Sequence, residues 1–293
     1  MSELQSFRVD SKLFGSSALA ALADAFQRDG AVCVRGLFSP AEVASISEGV
    51  DAVLERPSQA SKRASQHGDG LFLEDFCRSA DVEQIAAAAR NADVSRLAAA
   101  VMQSNTARFY HDHVLVKERC TSQQTPWHQD QPYYDVDGSQ SVSFWCPVDA
   151  VPLRSSLQLV AGSHLLGWRM PRSFKDNAAS WFPEGSLPDL PSLPHAGAEA
   201  QAAAGAHNIL SWAMQPGDAV LFHFLTIHGA GGVDGERRRR VLSLRYVGDD
   251  ATHAPRAWTT SPAFPGVRLA GGAPLEHPLF PVVWPRGERA DPT

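Results

Sequence analysis

The chain has 293 residues, 44% of them hydrophobic and 20% charged, with a formal net charge of −6 at pH 7; this composition belongs to a folded globular protein and excludes extensive disorder. The acidic balance excludes general nucleic-acid binding, which needs a basic surface, so a small-molecule partner is expected. The polar N-terminus "MSELQSFRVD" carries no apolar leader and no run of 18 apolar residues occurs, so the expectation is a cytoplasmic protein with no membrane contact.

Along the chain, "SSALAALADAFQRDG" (16–30) repeats apolar residues at helical spacing, with Leu19, Leu22 and Phe26 on one stripe and Gly30 as a stop. "AVCVRGLF" reads as a short buried strand. Ser39-Pro40-Ala41-Glu42 then sets an N-cap serine, a first-turn proline and a glutamate in a capping box, which opens a helix to about Leu54. The alanine-rich stretch 79–103 predicts one or two further helices with Ile85, Ala88, Val94 and Leu97 facing the core. From Ala107 the texture changes. "ARFYHDHVLVKE", "SVSFWCPVDAV", "SLQLVAGSH", "DAVLFHFLTIHG" and "VLSLRYVGDD" all read as strands of a sandwich or barrel. A Pro/Ala/Gly-rich insert at about 168–208 predicts a long loop over one mouth of it.

Chemistry concentrates in "PWHQDQPYY" (126–134). In an extended strand His128 and Asp130 face the same side and can grip one metal ion, with Gln129 and Gln131 pointing away. A 2-His-1-carboxylate triad needs one more imidazole from a distant strand. His228 ends the predicted strand "DAVLFHFLTIHG" and is followed by Gly229, whereas His223 lies mid-strand on the opposite face; a bulge would exchange the two. His111-Asp112-His113 is a rival, since an H-x-H pair suits a cupin-type centre, and otherwise it is a hydrogen-bonded barrel edge. The scattered Cys33, Cys77, Cys120 and Cys146 suggest neither a zinc knuckle nor a disulfide framework. Arginines 237–240 read mainly as a solvated sheet edge, with one of them available as a fork for a carboxylate.

Together "TPWHQDQPYYDVDG", "VSFWCPVDAV", "LQLVAGSH", "PGDAVLFHFLTIHGAGG" and "RRRRVLSLRY" resemble, in order and over roughly 20–250, the phytanoyl-CoA dioxygenase (PhyH) family of Fe(II)/2-oxoglutarate oxygenases. The resemblance implies a mainly β fold with flanking helices: a double-stranded β-helix (jelly-roll, cupin-like) core behind a helical N-terminal part. It implies iron held by His128, Asp130 and His228, and 2-oxoglutarate held by Arg239, eleven positions after the distal histidine, with Arg237 as the fallback. Trp145 occupies the place of a family tryptophan near the co-substrate, and Lys117 is within reach of a carboxylate or else a surface lysine. The expected organisation is a single catalytic domain over 1–293, with helical support in 1–105, the core in 106–250, a lid at about 168–208 and a C-terminal extension in 251–293.

The expected cofactors are Fe(II), 2-oxoglutarate as co-substrate and O2. The expected activity is hydroxylation of a small metabolite with release of succinate and CO2; retention of Asp130 argues against halogenation. A cupin-like isomerase or epimerase and a non-catalytic β-barrel binding module are the alternatives. Arg169, Arg172 and Lys175 on the lid favour an anionic substrate.

Overall fold

The computed structural model describes residues 6–9, 13–65, 69–172, 180–191, 193, 208–233, 235 and 237–285. The opening helices form for local reasons. Helix α1 (Ser16–Asp29) stops at Gly30, whose φ of 74° glycine adopts without strain and whose N–H bonds the Phe26 carbonyl. The expected capping box is present on α2 (Pro40–Glu55), with Ser39 and Glu42 each satisfying the other's backbone N–H. The alanine-rich stretch divides into α3 (Glu83–Ala89) and α4 (Ala92–Met102), because Asn91 accepts from the N–H groups of Asp93 and Val94 and restarts the helix.

The strands are β1 (Ser6–Arg8), β2 (Ala31–Arg35), β3 (Lys62–Arg63), β4 (Phe72–Phe76), β5 (Ala107–Lys117), β6 (Thr125–His128), β7 (Val136–Asp137), β8 (Ser141–Pro147), β9 (Leu157–Val160), β10 (Ile209–Leu210), β11 (Ala219–Phe222), β12 (His228–Ala230), β13 (Arg239–Val247), β14 (Thr252–His253) and β15 (Val282–Trp284). A nine-stranded sheet runs β1-β2-β11-β8-β13-β5-β4-β3 with β15 beside β5, and β10-β9-β12-β6 forms a second sheet. The two sheets build the double-stranded β-helix. Among the described residues no helix is long and apolar enough to cross a membrane.

Strand β13 shows how the layers are made. Leu242, Leu244 and Tyr246 join the cluster that holds Leu22, Phe26, Val50, Ile85 and Leu97 of the helices, while Arg239, Val241, Ser243 and Arg245 line a cavity on the other face. This period-2 alternation leaves the whole strand buried. Between the sheets, Trp145, Val220 and Phe222 pack against Leu157, Leu159, Leu210 and Ala230.

Four expectations need correction. The arginines do not enter an edge strand: β13 pairs with both β8 and β5, and Arg240 is buried against Asp149 and Asp51. The His111–His113 run also lies in a central strand, between β13 and β4. "DAVLFHFLTIHG" is two strands, β11 and β12, so His228 begins a strand and does not end one. The H-x-D motif is not extended throughout, because β6 stops at His128 and Asp130 has helical angles at the head of a 3-10 turn over Gln131–Tyr133.

Candidate metal centre and cavity

His128 and His228 are register partners at facing ends of β6 and β12, with ring centroids 4.1 Å apart. Asp130 is seated by the interruption between β11 and β12: the Phe224 carbonyl there accepts the N–H groups of Asp130 and Gln131, at 2.8 and 3.1 Å. One Asp130 oxygen, Oδ1, lies 3.5 Å from His128 Nε2 and 3.7 Å from His228 Nε2. These three buried side chains are the one metal-capable group of three or more ligands among the described residues.

The surroundings fit a divalent metal. His128 Nδ1 faces the Pro126 carbonyl at 2.8 Å and His228 Nδ1 the Thr226 carbonyl at 2.9 Å. An N–H on each Nδ1 satisfies those carbonyls and leaves both Nε2 lone pairs toward Asp130. Burial pushes the His228 imidazole down to about 3, which keeps it neutral. Burial alone raises the Asp130 carboxyl, but the Arg245 guanidinium beside it outweighs burial and holds the group well below the usual carboxylate range. The second oxygen, Oδ2, accepts from Ser143 Oγ at 3.0 Å and lies 3.5 Å from Arg245 Nη2, whose Nε donates to the Tyr134 hydroxyl at 2.6 Å. The carboxylate is thereby turned with one oxygen to the sheet and one to the imidazoles.

The triad opens on a cavity of about 510 Å3. Arg239 and Trp145 both line it, with the guanidinium 5.8 Å from the indole ring centre. Arg239 is buried, its Nη1 donates to the Ser155 carbonyl, and burial lowers its pKa to about 10. Among the described residues no carboxylate pairs with it, so this cation is short of a counter-charge. Arg237 is exposed and outside the cavity, Arg238 reaches Asp51 and Glu118 at 3.7 and 3.9 Å, and Arg240 is held by Asp149 and Asp51. From the start of β13 at Arg239, arginine identity thus follows strand parity, while Arg237 precedes the strand.

Other expected residues lie elsewhere. Lys117, the register partner of Arg239, is buried but does not line the cavity; its ammonium donates to the Gln123 and Gly231 carbonyls at 2.6 and 3.2 Å. His223 is turned to the Ser139 carbonyl at 2.7 Å and accepts from Leu225 N. Gln129 holds the segment that leaves β9, donating to the carbonyls of Gly167 and Leu225 and accepting from Arg169 N. Arg172 lines the cavity but is ion-paired with Glu184 and Asp189 at 2.8 and 2.6 Å; Lys175 lies outside the described residues.

Sequence reading missed Arg245 and Ser143 behind Asp130, although the parity that selects Arg239 also selects Arg245. It missed Glu74 and Phe76 of β4 and the side of the cavity formed by Thr259, Thr260 and Ser261 from the C-terminal segment. Nothing in "FLEDF" distinguishes a cavity strand from a surface one.

The sequence model of the phytanoyl-CoA dioxygenase (PhyH) family matches residues 26–241. The multifunctional dioxygenase prhA of Penicillium brasilianum is 24% identical over 235 residues, spanning 76% of this chain and 70% of that protein. Among solved structures, the alpha-ketoglutarate-dependent epimerase SnoN from nogalamycin biosynthesis is 24% identical with a TM-score of 0.72, covering 94% of this chain and 99% of its own. SnoN has also been solved with Fe3+, alpha-ketoglutarate and nogalamycin RO. The carbocyclase SnoK from the same biosynthesis is 20% identical with a TM-score of 0.67, covering 89% of this chain and 94% of its own. These structures share the fold.

Proposed function

The chain belongs to the phytanoyl-CoA dioxygenase family of Fe(II)/2-oxoglutarate oxygenases, and from that premise we propose that it hydroxylates a small-molecule metabolite, with iron held by His128, Asp130 and His228 and 2-oxoglutarate held by Arg239. The cofactors of the family are Fe(II), 2-oxoglutarate and O2. Bound iron supplies the oxidation, in which 2-oxoglutarate and O2 are consumed and succinate and CO2 released.

The chain's own residues do the rest. His128 and His228 keep their protons on Nδ1 and present Nε2. Ser143 and Arg245 fix the Asp130 carboxylate so that it does not turn on losing or gaining a ligand. Arg239 offers its fork to the far carboxylate of 2-oxoglutarate, and Trp145 bounds that end. Tyr133 and Trp181, edge to face at 4.9 Å, shield the cavity from bulk water. Arg172 is answered by two acids, so this arginine by itself does not call for an anionic substrate. We read 1–293 as one catalytic unit, because lid, core and C-terminal extension all line the same cavity.

The observation that carries this reading is a buried arginine, without a counter-carboxylate among the described residues, in the same cavity as the three metal-capable atoms. Anaerobic titration with Fe(II) and 2-oxoglutarate tests it: a visible charge-transfer band should appear in the wild type and in His223→Ala, and fail in His228→Ala. A band that survives in His228→Ala and disappears in His223→Ala would overturn the ligand assignment. Because SnoN and SnoK are an epimerase and a carbocyclase on this fold, 18O2 labelling decides the outcome of turnover. Incorporation of 18O supports hydroxylation; an unlabelled isomeric or ring-closed product assigns the other class.

A further inference from the structure

Strand β4 puts Glu74 and Phe76 into the cavity beside His113 of β5. Glu74 and His113 are each 8% exposed. A carboxylate buried to that degree needs donors, yet among the described residues none forms a hydrogen bond with it. His113 Nε2 lies 3.7 Å from Oε1, too far for a hydrogen bond. That Nε2 is itself buried and has no hydrogen-bond partner among the described residues. Phe76 stacks on the imidazole, with centroids 4.0 Å apart and planes 19° from parallel, and so fixes where the nitrogen points. Two polar groups, neither with a hydrogen-bond partner among the described residues, therefore border one cavity.

Resting on the function proposed above, we infer that Glu74 and His113 form the substrate-specificity site, taking a neutral hydroxyl group that donates to the Glu74 carboxylate and accepts from the His113 N–H. Burial keeps His113 neutral and raises the Glu74 carboxyl, in agreement with a pair that serves an uncharged ligand. An ammonium is disfavoured because Lys62 already lines this end, its Nζ on Ser261 Oγ at 2.9 Å and 5.4 Å from the Phe76 ring centre. It also has no lone pair with which to answer an imidazole N–H. Phe76, Tyr133 and Trp181 supply ring walls for an apolar body. The substrate class is therefore a hydroxylated, otherwise apolar ring compound.

Equilibrium dialysis of the anaerobic Fe(II)–2-oxoglutarate enzyme against 2-naphthylmethanol, 2-methylnaphthalene and 2-naphthylmethylamine tests this. The alcohol should bind about tenfold more tightly than either analogue, the worth of one hydrogen bond to a charged group. The preference should vanish in Glu74→Leu and in His113→Phe, which preserves the stack on Phe76. Equal binding of alcohol and hydrocarbon, including no binding of either, overturns the inference, as does preference for the amine or persistence of the alcohol preference in both variants. The charge-transfer band, recorded on each sample, separates the outcomes: its absence from the wild type sinks the oxygenase reading, while its presence without alcohol preference sinks only the hydroxyl site. Should Glu74→Leu fail to fold, His113→Phe carries the test.

Discussion

At the scale of single residues, adjacent arginines with the same chemistry take opposite roles because successive side chains leave a strand on opposite faces. Arg239 faces the cavity with no carboxylate partner among the described residues, whereas Arg240 faces Asp149 and Asp51 at 2.8 Å each. Arg239→Ala is expected to weaken 2-oxoglutarate binding by on the order of 2–4 kcal/mol, the worth of a buried charge-assisted contact, with little change in the unfolding midpoint. Arg240→Ala should do the reverse: 2-oxoglutarate affinity holds and stability falls by about 1–2 kcal/mol, less than for a fully buried pair because Asp51 is 44% exposed. Isothermal titration and chemical denaturation of the two variants separate these effects. Equal losses of affinity would mean that the arginines act only as a positive field.

At the scale of elements, the end of α1 is tied to the metal centre. Gly30 accepts from Thr226 Oγ1 at 2.7 Å and from His223 N at 2.9 Å, and the Thr226 carbonyl in turn faces His228 Nδ1. A side chain at Gly30 would sit at φ 74° and run into the His164 ring and the Thr226 hydroxyl. Gly30→Ala should therefore destabilise the fold by about 2 kcal/mol or more and loosen Fe(II) as well. Thermal unfolding of the apo protein and a competitive chelator titration measure the two effects. Full stability with wild-type Fe(II) affinity would show that the helix end does not support the histidine. The aromatic contacts Trp181–Trp258, stacked at 5.2 Å, and Phe182–Trp258 at 5.1 Å tie residues 181–182 to the C-terminal segment in the same element-to-element fashion.

At the scale of the whole molecule, burying several imidazoles makes the fold sensitive to acid. Burial pushes His223 down to about 4 and holds His111 and His113 well below their ordinary value. Below about pH 6.5 the unfolded chain takes up protons that the folded chain refuses, so stability falls as pH drops from there toward 4. Each such histidine contributes a slope of up to about 1.4 kcal/mol per pH unit in that window, and His223→Gln should reduce the slope of denaturation free energy against pH. An unchanged slope would place the acid sensitivity elsewhere. The sequence by itself determined the helical opening, down to the Ser39–Glu42 box and the stop at Gly30, since caps and stripes are local. It also determined the strand content of the core and the residue types of the triad, because "WHQD", "IHG" and "RRRR" carry their chemistry in order along the chain. Only the tertiary structure decided that Asp130 stands on a turn seated by the Phe224 carbonyl, that Lys117 spends its ammonium on two carbonyls, and that Glu74 meets His113 across a strand pair. The physical reason is that these groups are neighbours through the sheet and the loops, 39 residues apart for Glu74 and His113 (113 − 74). Burial and missing hydrogen-bond partners arise from how strands pair, which no local pattern of residue types records.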